Sequence, residues 1–225
     1  MKVLYFGRDE SIQSQRILAL MGSAGYSVTF VPSSRPGEKL PGSVGLWSGD
    51  LIVSFRSYFI LPEALLCRAR LAAINFHPGP PEYPGWGGAT WALMDEATHY
   101  GSTAHLMNPV VDDGPILRVS RFPIEPHDNL STLMQRSHDS LEKLALGLLT
   151  ELISWTDSPG QCPALTPAAK EQWAGPARRA SDLEKLKRVP AGISASGLER
   201  RMRAAHHPDS PLYIEINNTR FVLDS

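Results

Sequence analysis

Apolar residues in the first third of the chain fall in short blocks set off by polar and glycine-rich stretches. Lys2 to Phe6 reads as a brief buried strand that ends at Gly7. From Ser11 to Met21 the residues Ile12, Ile17, Leu18 and Leu20 recur at helical spacing, and Gly22 and Gly25 close the segment. Tyr26 to Val31 alternates and predicts a second strand, followed by a Ser/Pro/Gly-rich loop from Pro32 to Gly49. Asp50 to Phe55 is nearly continuously apolar, the mark of a parallel strand covered on both faces. Pro62 opens a helix predicted to run to about Arg70, and Leu71 to Phe76 forms a fourth strand. With right-handed crossovers, this β-α-β, loop, β-α-β order predicts an α/β protein with an open, mostly parallel sheet. No G-x-G-x-x-G follows any of these strands.

His77 to Gly88 is a dense Pro/Gly loop, and Ala89 to Thr98 has a helical pattern. Ser102 to Met107 and Ile116 to Pro123 are two further strands, joined by a loop holding Asp112, Asp113 and Gly114. A long apolar stripe from Leu130 through Leu141, Leu148 and Leu152 predicts the clearest helix, with Asp128 as its N-cap. Beyond Trp155 the pattern changes. Pro and Gly punctuate Ser158 to Gly175, and short polar helices follow. Leu212 to Ile216 and Arg220 to Leu223 form a hairpin around Asn217-Asn218. The expected division is a catalytic domain over residues 1–155 and a small helix-plus-hairpin subdomain over 156–225.

Composition narrows the partners. The formal net charge is −1, which gives no global basic field for nucleic acid, so no nucleic-acid partner is expected. Cys67 and Cys162 form no CxxC pair, and none of the seven histidines forms an H-x-x-x-H pair. Neither a disulfide framework nor a metal is expected. The apolar start is cut short by Arg8, Asp9 and Glu10, and no run approaches the ~20 residues of a membrane span. A cytoplasmic protein without a membrane partner is the expectation.

Chemistry concentrates at the end of the fourth strand, where open α/β sheets bind ligands. Asn75 and His77 are two residues apart, so a strand points both to one side. An amide donor and an imidazole would share a pocket. The same pair also suits a strand-end cap and a buried histidine bonded to backbone, and the residues alone leave both readings open. Asp112-Asp113-Gly114 likewise suits an ordinary solvated turn.

Taken together, Asn75-Phe76-His77-Pro78, the loop ending at Gly85, Ser102-Thr103-Ala104-His105 and Val111-Asp112-Asp113-Gly114 resemble the signature of the folate-dependent formyltransferases. That family includes glycinamide ribonucleotide transformylase, methionyl-tRNA formyltransferase and sugar N-formyltransferases. Asp50 to Ser54 and Ile60-Leu61-Pro62 are similar to its strand and folate-side turn, and the resemblance runs over about residues 1 to 155. It implies a Rossmann-like sheet of the formyltransferase type, 10-formyltetrahydrofolate as formyl donor, and no metal. It also implies a catalytic trio of Asn75, His77 and Asp112, with Asp113 in the variable position of D-x-G. Asn75 and His77 would donate to the oxyanion of the tetrahedral intermediate, and Asp112 would receive the amine proton, directly or through water. Folate contacts are implied at Tyr58, Ile60, Leu61, Pro62, Asn108, Val111 and Asp113. His105 reads as core or pocket wall.

For the acceptor, one predicted hairpin after Trp155 falls short of the five-stranded barrel of the tRNA-specific relatives. The loop His77-Pro78-Gly79-Pro80-Pro81-Glu82-Tyr83-Pro84-Gly85 resembles the sugar-nucleotide and natural-product formyltransferases. That resemblance implies a nucleotide-linked aminodeoxysugar as acceptor, held by Pro78, Gly79, Tyr83, Gly85 and Trp86, and a possible homodimer. The alternatives are an amino-acid-like or natural-product amine, a hydrolase releasing formate from the same folate, and a non-catalytic folate- or nucleotide-binding module. The hydrolase alternative ordinarily carries an extra N-terminal domain, whereas strand one opens this sequence.

Overall fold

In the computed structural model, which describes residues 1–155, 161–207 and 209–223, a six-stranded sheet carries the chain. Its strands are β1 (Lys2–Arg8), β2 (Ser27–Ser33), β3 (Gly49–Phe55), β4 (Ala69–His77), β5 (His99–Leu106) and β6 (Ile116–Pro123), in spatial order β2-β1-β3-β4-β5-β6. The pairings up to β4 are parallel, and β5 and β6 add as antiparallel strands. The ends of β3 and β4 therefore open onto loops beside an antiparallel neighbour, and the candidate chemistry sits there.

Burial explains the continuous apolar runs. Along β1, Val3 and Tyr5 point into one core layer, while Leu4 and Phe6 point into another. The first layer is closed by α1 (Ile12–Ser23) and α4 (Leu130–Trp155), through Ile17, Met21, Leu141, Leu148 and Leu152. The second is closed by Val44, Trp47, Phe59 and Leu65 from the connections around β3. Each buried leucine or phenylalanine side chain removes enough apolar surface to contribute about 1.5–3 kcal/mol.

Several boundaries differ from expectation, each for a local reason. The helix expected from Pro62 to about Arg70 is the single turn α2 (Glu63–Leu66). Pairing of β4 with β3 begins at Gly49↔Ala69 and takes the next residues into the sheet, where Arg70 reaches Asp50 at 3.0 Å. The expected helix Ala89–Thr98 is α3 (Gly88–Met94), ended by a turn with Glu96 at φ 52° before β5 starts. Inside the predicted loop 32–49 lies a 3₁₀ turn, Gly42–Leu46. Asp128 is not the N-cap of α4. Asn129 is: its Oδ1 accepts from Thr132 N at 3.0 Å, and Thr132 Oγ1 accepts from Asn129 N. Asp128 instead takes Arg136 and the N–H of Glu125.

The chain after α4 folds back onto the sheet end. The expected proline- and glycine-punctuated stretch beginning at Ser158, like the proposed boundary at 155/156, lies partly outside the described residues. From residue 168 the segment is tied down by backbone. Ala168 donates to Ile116 O, Ala174 to Pro81 O and Arg178 to Pro84 O, while Trp86 N donates to Arg178 O at 2.9 Å. Gly85 sits at φ 82°, and a Cβ there would lie 2.4 Å from Arg178 backbone, so glycine is required. Beyond it come α5 (Ala180–Lys187), α6 (Ala195–Ala205), β7 (Tyr213–Ile216) and β8 (Thr219–Val222). The α6 helix packs Ala204 against Ala92 and Leu93 of α3. The β7–β8 hairpin turns at Asn217 and Asn218, both left-handed at φ 49° and 61°, as two-residue hairpins demand.

Removing the α4 cap should be measurable. Asn129→Ala is expected to lower stability by about 1 kcal/mol, a Tm drop of roughly 2–4 °C for a chain of this size. A thermal melt with no shift would show that Asp128 alone can hold the helix start.

Candidate active site

The last strand residue of β4 is His77, with Asn75 two positions before it on the same side. Across the antiparallel pairing, Asn75 stands opposite His105 of β5. Directly opposed residues share a face, which brings the two side chains into contact. Nδ1 of His105 lies 2.9 Å from the Leu106 carbonyl, which can only accept, so the proton belongs on Nδ1. Nε2 of His105 then accepts from Asn75 Nδ2 at 3.0 Å. One amide hydrogen of Asn75 is thereby anchored and the other is left for a ligand.

Asp112 arrives from the β5–β6 loop. Its backbone is left-handed at φ 47°, and a Cβ on Gly114 just after it would meet Leu106 O at 1.8 Å. That tight turn drives the carboxylate inward, leaving the residue 5% exposed. Oδ2 accepts from Gly85 N at 2.8 Å and lies 3.1 Å from His77 Nδ1, while Oδ1 is 3.5 Å from His105 Nε2. Asp113 turns away to the surface, where it accepts from Asn108 Nδ2 at 3.0 Å. Position alone thus separates the two aspartates.

Electrostatics set the protonation of the pair. Burial pushes the Asp112 carboxyl upward, but His77, through its Nδ1–H, and the Gly85 N–H outweigh it and hold the group down at about 2. For His77, burial is the dominant influence and lowers its pKa despite the pull of Asp112. At neutral pH the pair is therefore a carboxylate and a neutral imidazole whose Nδ1–H donates to Asp112. Nε2 of His77 lies 3.4 Å from Tyr83 O, an acceptor with no proton to give, so its lone pair is unspent. Gly79 makes room for that edge, since a Cβ there would lie 2.7 Å from Nε2. Tyr100 and Ser137 both donate to the Pro78 carbonyl, and Thr103 donates to Gly79 O at 2.7 Å, so the loop backbone is fixed.

These side chains form the floor of a cleft of about 400 Å³. Of the expected folate contacts, Tyr58, Ile60, Leu61, Asn108 and Val111 line it. Pro62 is instead the residue before α2, and Asp113 faces solvent. Of the expected acceptor contacts, Pro78, Gly85 and Trp86 line the cleft. Gly79 is buried behind His77, and the Tyr83 ring packs on Tyr100 rather than toward the opening. Trp86 stacks on Tyr58, with ring centroids 6.5 Å apart.

Two neighbours carried no expected role in the chemistry. His105, read as pocket wall, anchors Asn75; alternation on β5, with its mate fixed by register, was the available signal. Trp173 packs edge-on against both His77 and His105, at 5.9 and 5.1 Å, and its Nε1 donates to Gly114 O at 2.8 Å. It comes from the returning segment, and no local pattern marks it. Among the described residues no group of His, Cys, Asp or Glu is arranged to hold a metal, and no helix is long and apolar enough to cross a membrane.

With the fold and geometry in view, comparison places the chain in a class. Residues 6–148 match the formyl transferase family model, and the chain belongs to that family. It is 30% identical over 148 residues to the methionyl-tRNA formyltransferase of Trichlorobacter lovleyi, a match spanning 65% of this chain and 45% of the relative. The chain thus spans less than half the length of the curated relatives it matches. Among solved structures, a sugar N-formyltransferase from a Shewanella species superposes with TM-score 0.77 at 22% identity, covering 99% of this chain and 96% of that one. The N-formyltransferase of Helicobacter canadensis, in complex with folinic acid and dTDP-3-aminofucose, superposes with TM-score 0.71 at 14% identity, covering 98% and 86%. At these identities the structural matches establish the fold, including the chain beyond residue 148.

The Asp112–His77 pairing gives a signed expectation. Asp112→Asn removes the charge that favours the imidazolium, so the His77 titration midpoint should fall below that of the wild type. Imidazole chemical shifts followed by NMR across acidic pH read this directly, and an unchanged or higher midpoint would remove Asp112 from control of His77. Stability has the same sense. Both groups bind fewer protons folded than unfolded, so stability is full above their unfolded pKa values. It falls first as pH drops below the ordinary histidine range and again as Asp112 protonates between about 4 and 2.

Proposed function

We propose that this chain transfers the formyl group of 10-formyltetrahydrofolate to a primary amine on a small molecule, most consistently a nucleotide-linked aminodeoxysugar. The observation that carries the reading is the buried Asn75–His105 and His77–Asp112 pairings at the floor of one cleft. The donor would lie against Tyr58, Ile60, Leu61, Asn108 and Val111, with its formyl carbon over Asn75 and His77.

The chemistry follows from that arrangement. The amine attacks the formyl carbon, and the carbonyl oxygen becomes an alkoxide. The unanchored Nδ2 hydrogen of Asn75 donates to that oxygen, in a site dry enough for the bond to count. The ammonium formed by attack must lose a proton, and the His77–Asp112 pair is the acid–base group at the cleft floor that would take it. Asp112 then stabilises the imidazolium through Nδ1. Protonated His77 returns the proton to N10 of the folate as the carbon–nitrogen bond breaks. Asp112 already accepts from Gly85 and His77 and is nearly inaccessible, which favours this indirect role over direct capture of the amine proton.

On the acceptor side, the Trp86 face stacked with Tyr58 offers a flat apolar surface for a base. The sugar N-formyltransferases that share the fold along nearly the whole chain support a nucleotide-sugar acceptor. The tRNA-directed relatives favour a second reading, an aminoacyl-tRNA acceptor. Against it stands the net charge of −1, which gives no global basic field for RNA.

Substitution of the floor tests the reading. Asn75→Ala, His77→Ala and Asp112→Ala should each lower kcat by roughly 10²-fold or more while tetrahydrofolate binding persists. Turnover would be measured against nucleotide-linked aminosugars, free amino acids and methionyl-tRNA. Transfer to methionyl-tRNA alone would sink the small-molecule reading. An Asp113→Asn loss with normal Asp112→Asn turnover would sink the assignment of the aspartates.

A further inference from the structure

We infer that Arg8 and Arg56 form an anion site for a diphosphate, on the wall between the catalytic cleft and a neighbouring polar cavity. Assigning that diphosphate to the acceptor rests on the transferase reading proposed above.

Arg8 closes β1 and Arg56 follows β3, so the two parallel neighbours deliver their side chains to one end of the sheet. Arg8 Nε donates to Arg56 O at 2.8 Å, and its guanidinium lies 3.3 Å over the Tyr58 ring. These contacts hold Arg8 in place and leave its terminal nitrogens free of any side-chain acceptor. The Arg56 guanidinium has neither a hydrogen bond nor an ion pair among the described residues, unlike Arg16, Arg70, Arg121 and Arg136, each of which pairs with a carboxylate. Burial, and then the charge of Arg8, bring Arg56 down to about 10. A partly desolvated cation beside a like charge favours a partner of opposite sign.

The surroundings say what would pair. Arg8, Arg56 and His138 line both the catalytic cleft and a second cavity of about 440 Å³. That second cavity is lined by the hydroxyls of Ser11 and Ser34 and the amides of Gln13 and Gln135, at the start of the 12-residue α1. Two acidic groups, Asp9 and Glu10, also line this cavity, and Asp9 is engaged by Glu10 N and Ser34 Oγ. His138 is held down to about 3 by burial and then by Arg56 and Arg8, so at neutral pH it adds no third charge and can offer an N–H. Paired guanidiniums with neutral donors around them fit the oxygens of a diphosphate, and forked guanidinium–phosphate bonds are among the stronger polar contacts. A diphosphate here would run from the wall of the catalytic cleft into the second cavity.

Inorganic pyrophosphate is the probe. It should raise the Tm of the wild-type chain in a concentration-dependent way, and calorimetry should give a dissociation constant that weakens at least about tenfold in Arg56→Met. Arg8→Lys should also weaken it. Tetrahydrofolate affinity should stay within about twofold in Arg56→Met. The unliganded variant should melt no lower than wild type, because an unpaired, partly desolvated charge beside Arg8 is gone. Pyrophosphate binding that is absent at millimolar concentration, or unchanged in Arg56→Met, would overturn the proposal. So would a variant that keeps pyrophosphate but loses tetrahydrofolate, which would give the arginines to the carboxylates of the folate. Pyrophosphate binding with transfer only to amines lacking phosphate would leave the anion site standing and overturn the nucleotide-sugar acceptor.

Discussion

Much of this structure is arranged around one buried carboxylate. Asp112 can remain ionised at 5% exposure because the Gly85 N–H and the His77 Nδ1–H both donate to it, beside the His105–Asn75 pair. Each of those partners needs a separate piece of the fold. The His77 position depends on β4 ending where it does, and His105 on the antiparallel register of β5. Gly85 depends on a loop whose backbone turns left-handed. The carboxylate itself requires the positive-φ turn before Gly114. Loss of any one partner leaves a desolvated charge under-compensated, so the site and the sheet end are stabilised together.

The chain after the long helix belongs to this arrangement physically, whatever its evolutionary boundary. Its backbone runs along the Pro/Gly loop from Ala174 to Arg178, and the approach is so close that position 85 accepts only glycine. Trp173 then lies edge-on against both histidines and covers them from water. A dry setting keeps His77 neutral and strengthens the Asn75 donor, which links a packing contact far along the sequence to the protonation state of the chemistry.

Legibility in the sequence followed the range of the interactions. The four parallel strands, the long helix and the Asn217-Asn218 hairpin were readable because each is written in local periodicity or turn chemistry. The pairing of Asn75 and His77 was readable from strand geometry, although those two residues alone left a structural role open. Singling out Asp112 from Asp113 needed the resemblance to the formyltransferase signature, and the structure separates them by burial. The short α2 was misjudged because sheet pairing of Ala69 overrides a helical pattern that ran on to Arg70. Asn129 displaced Asp128 as cap because Asp128 had an arginine to meet. His105 and Trp173 acquire their roles only through register and through a segment returning from 59 or more positions away. Arg8 and Arg56 become a pair only when β1 and β3 lie side by side.

The proposed reaction passes a formyl group from the Asn75–His77–Asp112 floor to an amine and does not release it to water. Single-turnover NMR with donor carrying a ¹³C-labelled formyl carbon measures the fate of that carbon. The prediction is that label appears as an N-formyl group when an aminodeoxysugar nucleotide is supplied, with formate staying at the uncatalysed level when it is withheld. Label released as formate at the same fast rate with and without amine would contradict the claim and make the chain a hydrolase.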